Sequence, residues 1–197
     1  MKTLLLALAL SLTAPIVYSQ GTLNFNTAQS ANSIIKYALP NFGGAPVDGS
    51  QHPNARAAIY AGAAGSTEAQ LVFVSPAAGF GSGALAGYVT YGSVTIPFLN
   101  QGANAVVQIR AWDGPTLAPT YEAALAIPGA CVGKSQLYSI SALGGPGDPN
   151  MGIPPATPAA IPNQVGFALG FTCVPEPSTI VLVFLGLGGL LIRRYKK

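Results

Sequence analysis

Any catalysis by this chain has to draw on a sparse set of reactive side chains. The single histidine, His52, lies in the loop sequence Ser50-Gln51-His52-Pro53, and a serine–histidine–acid triad needs such a loop held rigidly against a serine and a carboxylate. A lone loop histidine reads instead as a solvated side chain. His52, Cys131 and Cys173 are of zinc-ligand type, but no two of them stand at C-x2-C or H-x3-H spacing. Calcium loops carry several acids at alternate positions; here Asp48 and Asp148 sit beside Gly or Pro, where Asp closes turns through local hydrogen bonds. No metal and no cofactor are expected. Asp113 and Glu122 are the nearest carboxylate pair, flanking a hairpin-like connection. A glycoside hydrolase sets two such groups across a sugar, whereas Asp113 and Glu122 read as solvated strand-end and loop acids. The expectation is a non-enzymatic protein, with a secreted glycoside hydrolase as the least favoured reading.

Binding has more to work with. Tyr88, Tyr91 and Trp112 are aromatic groups that can stack on sugars, and Tyr88 and Tyr91 are the candidate glycan contacts of a carbohydrate-binding module, the alternative reading. Trp112 and one tyrosine are equally suited to the core or to cross-strand pairs, and Trp112 is expected in the core. Cys131 and Cys173 are the only cysteines. An even count in an exported body favours a disulfide between them, which closes about 43 residues and restricts the unfolded chain by roughly 4 kcal/mol.

These residues sit in a body, 20–174, made of Gly, Ala, Pro, Ser, Thr and Asn with few charges. Its cations are Lys36, Arg56, Arg110 and Lys134 against Asp48, Glu68, Asp113, Glu122 and Asp148, a net charge of −1. The whole chain carries +3, so its basic character belongs to its ends. Nucleic acid is excluded as a partner because phosphate neutralisation needs Lys and Arg in number. A body this long supports one domain with its own core, and few long helix-forming side chains point to turn-rich β structure. Strand-like runs occur at 22–26, 56–61, 70–74, 88–96, 105–112, 136–143 and 165–173. In the first, Leu23 and Phe25 share a face; in the last, Val165, Phe167, Leu169 and Phe171 do. No helix is expected between the two ends. Breakers mark the connections at 41–54, 62–66, 75–87 and 113–115. Segment 144–163 holds six prolines in 20 residues, so it is extended and semi-rigid, and a loop that long fits a compact domain when it crosses between sheets. The expected architecture is all-β, an antiparallel β-sandwich, jelly-roll-like, with its last strand running directly into the C-terminal segment.

Both ends read as targeting segments. Met1-Lys2 is a short positive region, 4–12 is apolar, and Val17-Tyr18-Ser19 presents the small or tolerated residues that signal peptidase reads, so 1–19 is a signal peptide cut after Ser19. At the other end, Pro175-Glu176-Pro177 precedes an apolar run from Thr179 and Ile180 through Gly186, Gly188 and Gly189 to Ile192. Proline cannot continue a helix backwards, so the helix begins after it, and Ser178 or Thr179 caps it. Its length of about 21 Å is short of the roughly 30 Å hydrocarbon layer. Snorkelling of Arg193, Arg194, Lys196 and Lys197 and local bilayer thinning supply the difference. Those four cations place the tail end on the cytoplasmic side and the body outside.

Pro-Glu-Pro, a short hydrophobic helix and a terminal Arg/Lys cluster in that order resemble the bacterial PEP-CTERM sorting signal. The resemblance covers 175–197 and implies an exported protein that is transiently anchored in the membrane. It further implies processing by exosortase, a membrane-embedded cysteine transpeptidase, then release to the cell surface or extracellular matrix, with exopolysaccharide as its surroundings. The body is also similar to the Gly- and Ala-rich β domains that accompany this signal, through 59–66, 107–112 and 120–124.

Overall fold

A computed structural model of the chain describes residues 19–38 and 44–171. The expected signal segment up to residue 18, Cys173 and the whole of 175–197 lie outside the described residues. Among the described residues no helix is long and apolar enough to cross a membrane.

Eleven strands are described: β1 Gln20–Asn26, β2 Lys36–Tyr37, β3 Arg56–Ala63, β4 Val72–Phe73, β5 Ala78–Gly79, β6 Thr90–Asn100, β7 Ala105–Asp113, β8 Cys131–Lys134, β9 Tyr138–Ile140, β10 Ala159–Ala160 and β11 Ala168–Phe171. They form two sheets, ordered β10-β1-β6 and β2-β11-β8-β7-β3-β4, with β5 on β3 and β9 on β7. Leu23, Phe25, Val94 and Ile96 from the small sheet meet Ile59, Val107, Ile109 and Leu169 from the large one in a single core. The strict alternation of β1 is the cause: Leu23 and Phe25 are fully buried while Thr22, Asn24 and Asn26 are not.

The sheets are mixed, which corrects the purely antiparallel expectation. β1 pairs β10 in parallel, Leu23 opposite Ala159, and β11 pairs β2 in parallel, Ala168 opposite Lys36. Both parallel pairs close over long sequence separations. The proline-rich segment makes one of them possible by crossing from one sheet to the other. It bridges Thr22 at Gly144, folds back on itself through Gly145–Ala156 and Asp148–Ile153 bridges, contributes β10, and returns to the large sheet as β11. Its ladders are short because each proline removes a donor.

β7 carries the large sheet. All nine of its residues are buried, β3 pairs it along eight residues, and its other edge is shared by β8 and β9. The gap between these two short strands is closed by Ser135: its Oγ accepts from Ile109 N at 3.0 Å, and its own N donates to Ile109 O at 2.9 Å. The same device recurs on β3, whose outer edge is split between β5 and β4. There Ser75 Oγ accepts from Ile59 N at 2.9 Å, and Val74 N donates to Ile59 O at 3.0 Å. Buried serine hydroxyls thus take the place of missing strand carbonyls, as buried backbone donors require.

The second face of β7 and β3 is covered as well, by a smaller apolar cluster that includes Tyr60, Leu71, Val106, Trp112 and Ala124. Its cover is a short α-helix, α1 Tyr121–Leu125, which corrects the expectation of no helix. Thr120 caps it by accepting from Ala123 N, Glu122 occupies the first turn, and Pro128 soon follows. This is the local signature of a one-turn helix. Other expected strands are shorter than read: 70–74 reduces to β4 behind a 3-10 turn at Glu68–Gln70, and 136–143 reduces to β9. The 165–173 strand begins only at Ala168, and Val165 is 53% exposed rather than inward-facing. Gly166 instead runs against the backbone of Ile34, so close that a Cβ there would stand 2.1 Å from Ile34 O.

Candidate functional site

Two polar clusters lie on opposite faces of β7. Side chains alternate along a strand, so Asp113 shares the inner face with Ile109 and Ala111, while Arg110 shares the outer face with Gln108 and Trp112.

At the inner end, Asp113 Oδ2 lies 2.9 Å from His52 Nδ1 and accepts a 2.7 Å hydrogen bond from Tyr37 Oη. Its Oδ1 accepts from Gly114 N at 2.8 Å. The Tyr37 and His52 rings are 4.8 Å apart and tilted by 51°. Local chain geometry presents the histidine: Asp48 accepts from Ser50 N and from Ser50 Oγ, and its carbonyl accepts from His52 N, which turns the loop inward. Burial, and then the bond to Asp113, push the Tyr37 phenol well above its ordinary pKa, so it remains a donor. His52 and Asp113, both read from sequence as solvated, are therefore corrected: they are joined, and Asp113 is 9% exposed. The aspartate orients His52 Nδ1 as a triad acid orients its base, but the serine of this loop gives its hydroxyl to Asp48. What the cluster does is tie the 48–55 loop and β2 to the end of β7. Asp148 closes its own turn by accepting from Asn150 N at 3.0 Å.

On the outer face, Arg110 is held from several sides. Its Nε donates to Gln108 Oε1 at 2.9 Å, Nη1 to Glu122 Oε1 at 2.8 Å and Nη2 to Glu68 O at 3.1 Å. Its guanidinium carbon lies 4.0 Å from the centre of the Tyr60 ring and 5.5 Å from that of Tyr121, within cation–π range. Tyr60 Oη donates to Glu122 Oε2 at 2.6 Å. Burial, and then that bond, raise the Tyr60 pKa. Lys134 pairs with Glu68 at 2.5 Å, and its hydrogen bond holds the Glu68 carboxyl below its ordinary value. Of these residues Glu68, Arg110, Tyr121, Glu122 and Lys134 border a groove of about 550 Å³ between α1, β7 and β8. The sequence hid this cluster, because Gln108 and Arg110 sit inside an otherwise apolar run and their partners lie on other elements.

Asp113 and Glu122 therefore face opposite sides of the large sheet, each engaged with its own partners, and are not set across a common cleft. Trp112 is 1% exposed and donates from Nε1 to Ala118 O at 3.0 Å. It lies on the outer face of the large sheet, whereas Tyr91 stands on β6 of the small sheet, 45% exposed, its ring 6.5 Å from that of Phe25. Tyr88 is partly buried ahead of β6. The three aromatic groups do not form one face. Cys131 is buried at the start of β8, and Cys173, its expected partner, lies outside the described residues. No group of three or more metal-ligating side chains comes together among the described residues.

No curated protein and no solved structure matches this chain. Residues 174–197 match the family model of the PEP-CTERM protein-sorting motif, and that motif implies export and processing by exosortase. With the match beginning three residues after the end of β11, this is a β-rich protein that carries a PEP-CTERM protein-sorting motif.

Proposed function

We propose that the chain is a non-enzymatic cargo of the cell surface or extracellular matrix. In this reading signal peptidase removes 1–19, and the body crosses the cytoplasmic membrane. The apolar run from Thr179 to Ile192 holds it there while Arg193, Arg194, Lys196 and Lys197 remain on the cytoplasmic side. Exosortase then cuts near Pro175-Glu176-Pro177 and frees the two-sheet body.

The observation that carries this reading is the sorting motif at 174–197. The body supports it in a second way, since several of its polar side chains fasten elements together: Asp113 holds Tyr37 and His52, Glu122 holds Arg110 and Tyr60, and Ser75 and Ser135 close strand gaps. The test is to replace Pro175, Glu176 and Pro177 together by alanine in a host that makes exosortase. The wild-type body should reach the surface or medium without its tail, and the variant should stay in the membrane fraction at tail-bearing mass. Equal distribution and equal mass for the two chains would overturn the reading.

A further inference from the structure

We propose that the groove between α1, β7 and β8 is a binding site for an uncharged polyhydroxylated ligand, a segment of neutral polysaccharide. Its volume of about 550 Å³ lies within the roughly 300–1,000 Å³ typical of small-ligand sites. It is bordered by Glu68, Arg110, Tyr121, Glu122, Leu125 and Lys134. This assignment does not depend on how the tail is processed.

Three features define the ligand. First, the charges balance: Arg110 is paired with Glu122 and Lys134 with Glu68. An anion entering the groove meets two carboxylates, and a cation meets two bases. Hydroxyl groups both donate and accept, so a sugar can bond to the outward lone pairs of the acids and the remaining protons of Lys134 without separating either pair. Second, the groove is not purely polar. The half-exposed Leu125 side chain and the Tyr121 ring supply the apolar surface that the C–H faces of a sugar need.

Third, the exposed polar groups are already fixed. The Glu122 side chain is 55% exposed, yet each of its oxygens is held, one by Arg110 and one by Tyr60 Oη. Arg110 is itself clamped by Gln108 and two tyrosine rings, its side chain only 10% exposed. A carboxylate oriented in this way loses little conformational freedom when a ligand arrives, which is the condition for useful affinity from a few hydrogen bonds. Tyr88 and Tyr91 are remote from this constellation in the fold, on and just before β6.

The experiment is affinity electrophoresis of the full chain, purified from cells in a mild non-ionic detergent. The gels contain soluble β-glucan, galactomannan, xylan or, as the anionic counterpart, alginate. Retardation is expected on at least one neutral polymer and not on alginate. Glu122→Gln, which keeps shape and a hydrogen-bonding end, and Tyr121→Ala should each weaken it by about tenfold, roughly one charge-assisted hydrogen bond or one ring contact. Thermal unfolding of each variant is measured in parallel, and Tyr88→Ala/Tyr91→Ala should leave binding unchanged. The proposal is overturned if no neutral polymer retards the protein, if alginate retards it more, or if Glu122→Gln folds normally and binds as before.

Discussion

Replacing Asp113 by alanine is the most demanding test of how the body is held together. The carboxylate ends the fully buried β7 and receives Tyr37 Oη, His52 Nδ1 and Gly114 N. Removing one partner of a buried pair costs roughly 3–5 kcal/mol, because the remaining donors lose a charged acceptor. The His52 and Asp113 side chains retain 20% and 12% exposure, so water recovers part of that, and about 3 kcal/mol is the expected loss. For a chain of this size each kcal/mol moves Tm by about 2–4 °C, so Asp113→Ala should lower Tm by about 6–12 °C. Asp113→Asn should lose less, since one oxygen still accepts. The assay is urea unfolding of the protein recovered from the medium, followed by the emission of its single tryptophan, which is buried beside the mutated position, and by far-ultraviolet circular dichroism. A double-mutant cycle with His52→Ala should give a coupling of about 1 kcal/mol or more. A loss under about 1 kcal/mol for Asp113→Ala, or additivity in the cycle, would refute the view that this cluster fastens the 48–55 loop and β2 to β7.

Further predictions concern other fastenings. Ser135→Ala leaves Ile109 N without its acceptor in the middle of β7 and should cost about 1–3 kcal/mol in the same urea assay, with Ser75→Ala matching it at Ile59. Gly144→Ala would place a Cβ 2.0 Å from Thr157 O, a backbone atom; the segment between the sheets must shift, at about 1–3 kcal/mol, seen as a lower urea midpoint. Glu68 has a folded-state pKa below its unfolded value because of Lys134. It therefore contributes stability above the unfolded pKa, and that contribution is lost as pH falls through the folded one. Because the pair is exposed the effect is under about 1 kcal/mol, and Lys134→Met should remove most of it, leaving the smaller contributions of Gln108 and Arg110, measured as the change in stability between about pH 6 and about pH 3.

What could be read from sequence was what regular periodicity encodes. β1 alternates, and its two apolar residues are fully buried; the runs that became β3, β6 and β7 were long enough to show as strands. Two-residue strands such as β2, β5 and β10 carry no period and exist only because a distant strand supplies a partner. The parallel pairing of β1 with β10 follows from the route of a proline-rich segment, which composition describes as extended but does not aim. The helix α1 was marked by its Thr120 cap, yet five residues are too few for a helical apolar stripe. His52 and Asp113 are 61 positions apart, and no local pattern announces a pair closed by a loop. Arg110 entered the sequence only as one of four cations of the body and is the centre of the outer network, because β7 is covered on both faces.

Under the proposed function the chain is exported on a temporary tether that is then cut away. The deciding measurement is the intact mass of the protein recovered from cells and from the medium. The expected medium form begins at Gln20, lacks the apolar run from Thr179 to Ile192 and the four terminal cations, and is two hydrogens lighter than its reduced form if the cut leaves Cys173 bonded to Cys131. Recovery of the chain only within cells, with Met1 and Lys197 both in place, would contradict it.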